Sequence, residues 1–101
     1  MAMFITLGKF TDEGARDLKA FHERVEENMA RAERLGIKIH GWYLTQGRYD
    51  IVVVMEAPDA ETMLAQAAGV AGTGMVRTET LRAWTLDEAS QVLGKLGPAQ
   101  G

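Results

Sequence analysis

The stretch IKIHGWYLTQGRYDIVVVMEA, residues 37–57, decides the fold. It reads as two β-strands, 37–46 and 49–57, rich in β-branched and aromatic residues. Gly47-Arg48 between them suits a two-residue hairpin, with glycine at the position that needs a positive φ. Gln46 then faces Tyr49, and the pairing runs back from there. One face carries Lys38, His40, Trp42, Leu44, Ile51, Val53 and Met55. The other carries Ile37, Ile39, Gly41, Tyr43, Thr45, Asp50, Val52 and Val54. A sheet wetted on one side alternates apolar with polar residues, and these strands do not. Both faces are therefore expected to be buried. Helices can cover only one of them, so the other should meet a second subunit, and a symmetric dimer is the simplest outcome.

The flanking sequence supplies the rest of the fold. Residues 3–10 (MFITLGKF) form a strand, and Thr11 or Asp12 caps a helix predicted to run to about Leu35. Leu18, Phe21, Val25, Met29, Ala32 and Leu35 draw its apolar stripe, and Gly36 ends it. Pro58-Asp59 opens a second helix over about 59–69. A glycine-rich, flexible segment, 69–74, leads to a fourth strand, 75–84. Thr85 and Glu88 have capping-box spacing and start a short helix ending near Leu96, followed by a loose tail at 97–101. The order β-α-β-β-α-β is the split pattern of an α+β, ferredoxin-like domain spanning 1–96, with a four-stranded antiparallel sheet and a C-terminal helix.

Composition narrows the possible chemistry. A net charge of −3 and scattered basic residues argue against nucleic acid as a partner. The absence of cysteine removes disulfides, a thiolate nucleophile, cysteine-ligated zinc and iron–sulfur clusters. No segment has the ~18–20 apolar residues of a membrane span, and MAMFITLGKF lacks the form of a signal peptide, so no membrane association and a cytoplasmic location are expected.

Four blocks in order carry a family resemblance: Phe4–Thr11 (FITLGKFT), Gly47–Val54 (GRYDIVVV), Glu56–Asp59 (EAPD) and Val76–Ala83 (VRTETLRA). Together they resemble the GYD-domain family, whose Gly, Tyr and Asp read here as Gly47, Tyr49 and Asp50. The resemblance covers about residues 3–93 and implies a dimeric α/β barrel, in which two ferredoxin-like sheets pack face to face. It implies no catalytic residue. Proteins of similar architecture include monooxygenases with little or no cofactor, haem-degrading enzymes, isomerases and ligand-binding regulatory domains, so the fold alone does not choose a function.

Several residues could hold a ligand. Arg48, Tyr49 and Asp50 could place polar groups at a pocket mouth; equally, Gly47 serves the turn while Asp50 bonds local backbone. His40 shares its predicted face with Trp42 and is a candidate acid or base, and His22 a weaker one. His22-Glu23 opens like a zinc-protease helix, but Glu26 stands where a second histidine is needed, so no metal site is expected. On the fourth strand Arg77 and Glu79 share one face, and Thr78, Thr80 and Arg82 the other. Their polar groups could form an inter-subunit network or recognise an anion in a pocket walled by Trp42, Tyr43 and Trp84. The Gly69–Gly74 loop leaves a helix and lacks lysine, so it does not cradle phosphate.

These readings favour a homo-oligomeric domain that binds a small anionic or aromatic molecule without a cofactor. The alternatives are a small cofactor-independent enzyme of monooxygenase or isomerase type using His40, Tyr43 or Asp50, and a structural oligomer with no ligand.

Overall fold

A computed structural model describes residues 1–98. Strand β1 (Ala2–Phe10) leads through two short-linked helices, α1 (Asp12–Arg16) and α2 (Leu18–Arg34), to the hairpin β2 (Lys38–Leu44) and β3 (Ile51–Ala57). Helix α3 (Ala60–Ala71), strand β4 (Val76–Ala83) and helix α4 (Leu86–Gly94) follow. The sheet is antiparallel with strand order β2-β3-β1-β4, the ferredoxin-like arrangement. The predicted tail at 97–101 extends beyond the description, since residues 99–101 lie outside it.

Helices α2 and α3 cover one sheet face. Beneath them Phe4, Ile51, Val53, Met55 and Ala57 from the sheet meet Phe21 and Ala32 of α2 and Met63 of α3. Phe10 packs edge-on against Phe21 at 4.8 Å between ring centroids. Strand β3 shows the logic most plainly: residues 51, 53, 55 and 57 are buried, and 52, 54 and 56 only partly so.

Three sequence expectations about the fold need correction. The long helix from Asp12 is broken at Asp17, whose backbone (φ −136°, ψ 80°) leaves the helical region. Its carboxylate instead accepts from Ala20 N at 3.0 Å and caps α2, the local competition that makes aspartate a better cap than helix-interior residue. The segment expected to be flexible from Gly69 is helical to Ala71. Beyond it, Thr11 Oγ1 donates to Gly74 O at 2.7 Å and Thr11 N to Met75 O at 3.0 Å, tying the turn to the start of α1.

The third correction concerns strand faces. The pairing Leu44↔Ile51 through Gly41↔Val54 follows the predicted register, but it shifts between Ile39 and Gly41, so that Ile39 faces Met55 and Lys38 faces Glu56. The extra residue, His40, is a β-bulge, and it reverses every face assignment N-terminal to it. Ile39 thus packs against the core beside Trp42, while His40 turns to the opposite face and meets Glu56.

Candidate functional site

Three surfaces have the geometry of recognition sites. The first is the sheet face away from α2 and α3. Register places Met3, Ile5, Leu7 and Lys9 of β1 there, beside Val52, Val54 and Glu56 of β3. Arg77, Glu79, Leu81 and Ala83 flank them from β4, and Gly41 and Tyr43 from β2. The centre is apolar, and no element among the described residues covers it. Tyr43 is exposed, its ring lying where a Cβ on Gly41 would sit, so glycine at 41 makes room for it. Charge collects at the two ends: His40 Nε2 donates to Glu56 Oε1 at 2.5 Å near one, and Tyr49 OH donates to Glu79 Oε2 at 3.0 Å near the other.

The second surface is α4. Thr85 Oγ1 accepts from Glu88 N, and Glu88 Oε1 accepts from Thr85 N, which completes the expected capping box and holds the Glu88 carboxyl below its usual range. The helix carries no buried residue. Leu86, Leu93 and Leu96 are 84%, 61% and 80% exposed. The chain measures 58 × 31 × 18 Å with a radius of gyration of 16.1 Å, where about 13 Å is usual for 100 residues. Helix α4 packs little against the other elements and stands as a C-terminal arm.

The third is a cleft of about 70 Å³ between α2, α3 and the sheet. Phe21, Val25, Met29, Trp42, Met55, Met63 and Val70 are among its walls, with Thr6, Asn28, Gln66 and Thr78 as the polar contribution. Gln66 is a buried polar residue, 4% exposed. Its Nε2 donates to Asn28 O at 2.9 Å. The sequence reading named neither Asn28 nor Gln66. The available signal was Gln66 at core phase in an otherwise small and apolar helix, three residues from buried Met63.

The predicted site residues do not converge. Trp42 and Tyr43 project to opposite faces, as successive strand residues must, and Trp84 follows β4 at the far edge from β2. The pocket expected from these three aromatics therefore does not form within one chain. Arg82 lies over the Trp84 ring at 4.4 Å and the Phe4 ring at 5.6 Å, and donates to Met3 O and Ala83 O. Its guanidinium is committed to stacking and backbone. Asp50 is equally committed: its Oδ2 accepts from Phe10 N at 2.8 Å, its N donates to Gly8 O, and its carbonyl accepts from Thr45 N. The loop itself is longer than two residues, with Thr45 Oγ1 donating to Tyr49 O across it. Gly47 sits at φ +113°, a conformation that side-chain-bearing residues rarely adopt, and Arg48 is exposed beside it. Arg77 is exposed at the open face, and Thr78 lines the cleft. His22 pairs with Glu26 at 3.3 Å on the outer surface of α2.

The Tyr49–Glu79 bond has a titratable signature. Accepting the phenol proton, and then its negative charge, make Glu79 raise the Tyr49 pKa above the ordinary value, with nearby Arg48 acting the other way. The fold thus favours the protonated phenol. This contribution to stability is complete below the unfolded phenol pKa of about 10 and lost as pH rises through the folded one. Absorbance titration of the two tyrosines should show one ionising late, and that late step should vanish in Tyr49→Phe and move earlier in Glu79→Gln.

The strand order and helix placement define a ferredoxin-like α+β domain. The chain belongs to the GYD-domain family, whose model matches residues 4–93. It is 39% identical over 84 residues, 82% of this chain and 88% of the relative, to the glutamine synthetase and cystathionine β-lyase binding protein of Thermus thermophilus. Among the described residues, no helix is long and apolar enough to cross a membrane.

Proposed function

We propose that this chain is a cytoplasmic protein-binding module, a homodimer with residues 1–96 as its working unit, which docks an enzyme through the α4 arm. The observation that carries the reading is the relation to a protein named for binding two enzymes, over most of both chains. The arm supports it from the physical side. Its leucines are exposed, the rest of the domain does not bury them, and a peripheral amphipathic helix is a common element for insertion into a partner groove. Homodimerisation rests on the separate open face, argued in the Discussion.

The test is direct binding of the purified chain to glutamine synthetase and to cystathionine β-lyase from its own source organism, read by interferometry. Saturable binding of either enzyme is expected, weakened at least tenfold by the pair Leu86→Ser and Leu93→Ser. Those positions touch no core, so melting temperature should not change. An unaltered affinity in the double variant would remove the arm from the reading, and no binding to either enzyme would remove the reading itself.

Small-molecule binding is the second reading, favoured by the cleft beneath the helices, to which Trp42 and Thr78 contribute while the other residues first singled out lie elsewhere. Its walls include no charged side chain, which turns the expectation from an anion toward a neutral molecule. An enzyme using His40, Tyr43 or Asp50 has less support: Asp50 is held by backbone, and His40 and Tyr43 lie outside the cleft.

A further inference from the structure

The cleft contains a polar atom that its surroundings leave unsatisfied. Asn28 Oδ1 is buried and has no hydrogen-bond partner among the described residues. Buried side-chain acceptors are nearly always satisfied, so an orphan on a residue that lines the cleft calls for a donor. Neighbouring groups do not provide one. Gln66 Nε2 donates to the Asn28 carbonyl rather than to Oδ1, and Gln66 Oε1 is an acceptor already facing Arg31 Nη1 at 3.5 Å. The Thr6 hydroxyl lies 3.3 Å from that of Thr80, across the β1–β4 pair.

The remaining walls define what could bring the donor. They are uncharged and, Thr78 apart, apolar, which excludes an ion and leaves little room for a second polar group. A volume of about 70 Å³ exceeds two waters' share of the liquid, roughly 30 Å³ each, and falls short of an aromatic ring's needs if the walls are rigid. They are not built to be rigid. Met29, Met55 and Met63 line the cleft, and Met29 is 41% exposed at its rim. Methionine's unbranched chain repacks at little cost and accepts flat or irregular guests.

We propose that the cleft between α2, α3 and the sheet binds a small neutral alcohol, aliphatic or phenolic, whose hydroxyl donates to Asn28 Oδ1. The hydrocarbon part replaces empty space against Phe21, Val25 and Trp42, and Met29 moves aside to admit it. The site is independent of the arm and of the open face, so it can stand or fall without the protein-binding reading.

Two-dimensional amide NMR with the intact chain tests this, using n-butanol, phenol and benzene as probes. Both alcohols should give saturable shifts confined to the cleft, including the Asn28 side-chain amide. Benzene should bind five- to tenfold more weakly than phenol, and Asn28→Leu should abolish or reverse that preference. Ala67→Leu, which fills the cleft from α3, should lose all three probes while keeping a dispersed, folded spectrum. Equal affinity for phenol and benzene would overturn the role of Asn28. Binding that survives Ala67→Leu would overturn the site, as would the absence of saturable shifts with any probe.

Discussion

Val54→Lys is expected to abolish the proposed dimer and leave a monomer. Val54 lies on β3, one of the two inner strands, with Ile5 of β1 and Gly41 of β2 opposite it on the open face. Around it the face offers Met3, Leu7, Val52, Leu81 and the exposed Tyr43. An apolar surface of this kind spread over four strands is what a stable interface core requires, and it is an aggregation hazard if left bare. A second copy supplies the same surface by symmetry, with charged groups toward both ends of the face where a rim belongs. In an isolated chain, lysine at 54 points to water and costs the fold little. In a face-to-face dimer it places an unpaired ammonium in the dry centre. That costs about 3–5 kcal/mol, roughly a hundredfold to several thousandfold in dimer dissociation constant. Light scattering across a concentration series is the measurement. A wild-type chain that is monomeric at micromolar concentration would end the dimer proposal, and so would a Val54→Lys variant that dimerises unchanged.

This surface was legible in the sequence because residues 49–57 are apolar at both strand phases, and two buried faces need two covers. The exact faces were less legible. Period-two counting cannot see a bulge, and His40 lies on the wrong side of every such count. A cue was nonetheless present: Gly41, an isolated glycine inside a strand, is a common companion of bulges and of close side-chain approach. The structural reading of the GYD set was available in part: the turn glycine is local chemistry, whereas the Asp50 carboxylate bonds the backbone of Phe10, distant in sequence on β1. The cleft was not available. It depends on how far α2 and α3 part above the sheet, and helix separation is a tertiary quantity that no local pattern encodes. The break at Asp17 was missed for a different reason. The apolar stripe begins at Leu18, so period counting does not test the turn before it; the Asp17 cap separates the two helices, and α1 docks against the turn before β4.

That docking leads to the largest stability effect expected of a single methyl group, Gly14→Ala. Gly14 is the buried residue of α1. A Cβ there would lie 2.1 Å from the Met75 carbonyl oxygen and 3.0 Å from its carbonyl carbon. Both obstacles are backbone, and the oxygen is already fixed as acceptor for Thr11 N at 3.0 Å. Neither partner can swing away, so α1 must lift from the turn. With it go the Thr11–Met75 and Thr11–Gly74 hydrogen bonds that anchor the start of β4. Overpacking usually costs about 1–3 kcal/mol, and each of the two lost hydrogen bonds about 1 more, giving a destabilisation of about 3–5 kcal/mol. For a chain of this size that corresponds to a melting temperature lower by about 12–40 °C. Two other glycines separate steric conflict from the general effect of adding a methyl. At Gly69 the nearest atoms belong to the Arg31 guanidinium, the far end of a flexible side chain, so alanine there should cost under about 1 kcal/mol. At Gly94, within α4, nothing lies within 4 Å, and alanine should firm the arm by up to about 1 kcal/mol of helix propensity. Thermal melts of the three variants should therefore rank Gly14→Ala far below wild type, with the other two close to it. A Gly14→Ala chain melting within 3 °C of wild type, on the order of half a kcal/mol, would mean that α1 is not clamped to the turn.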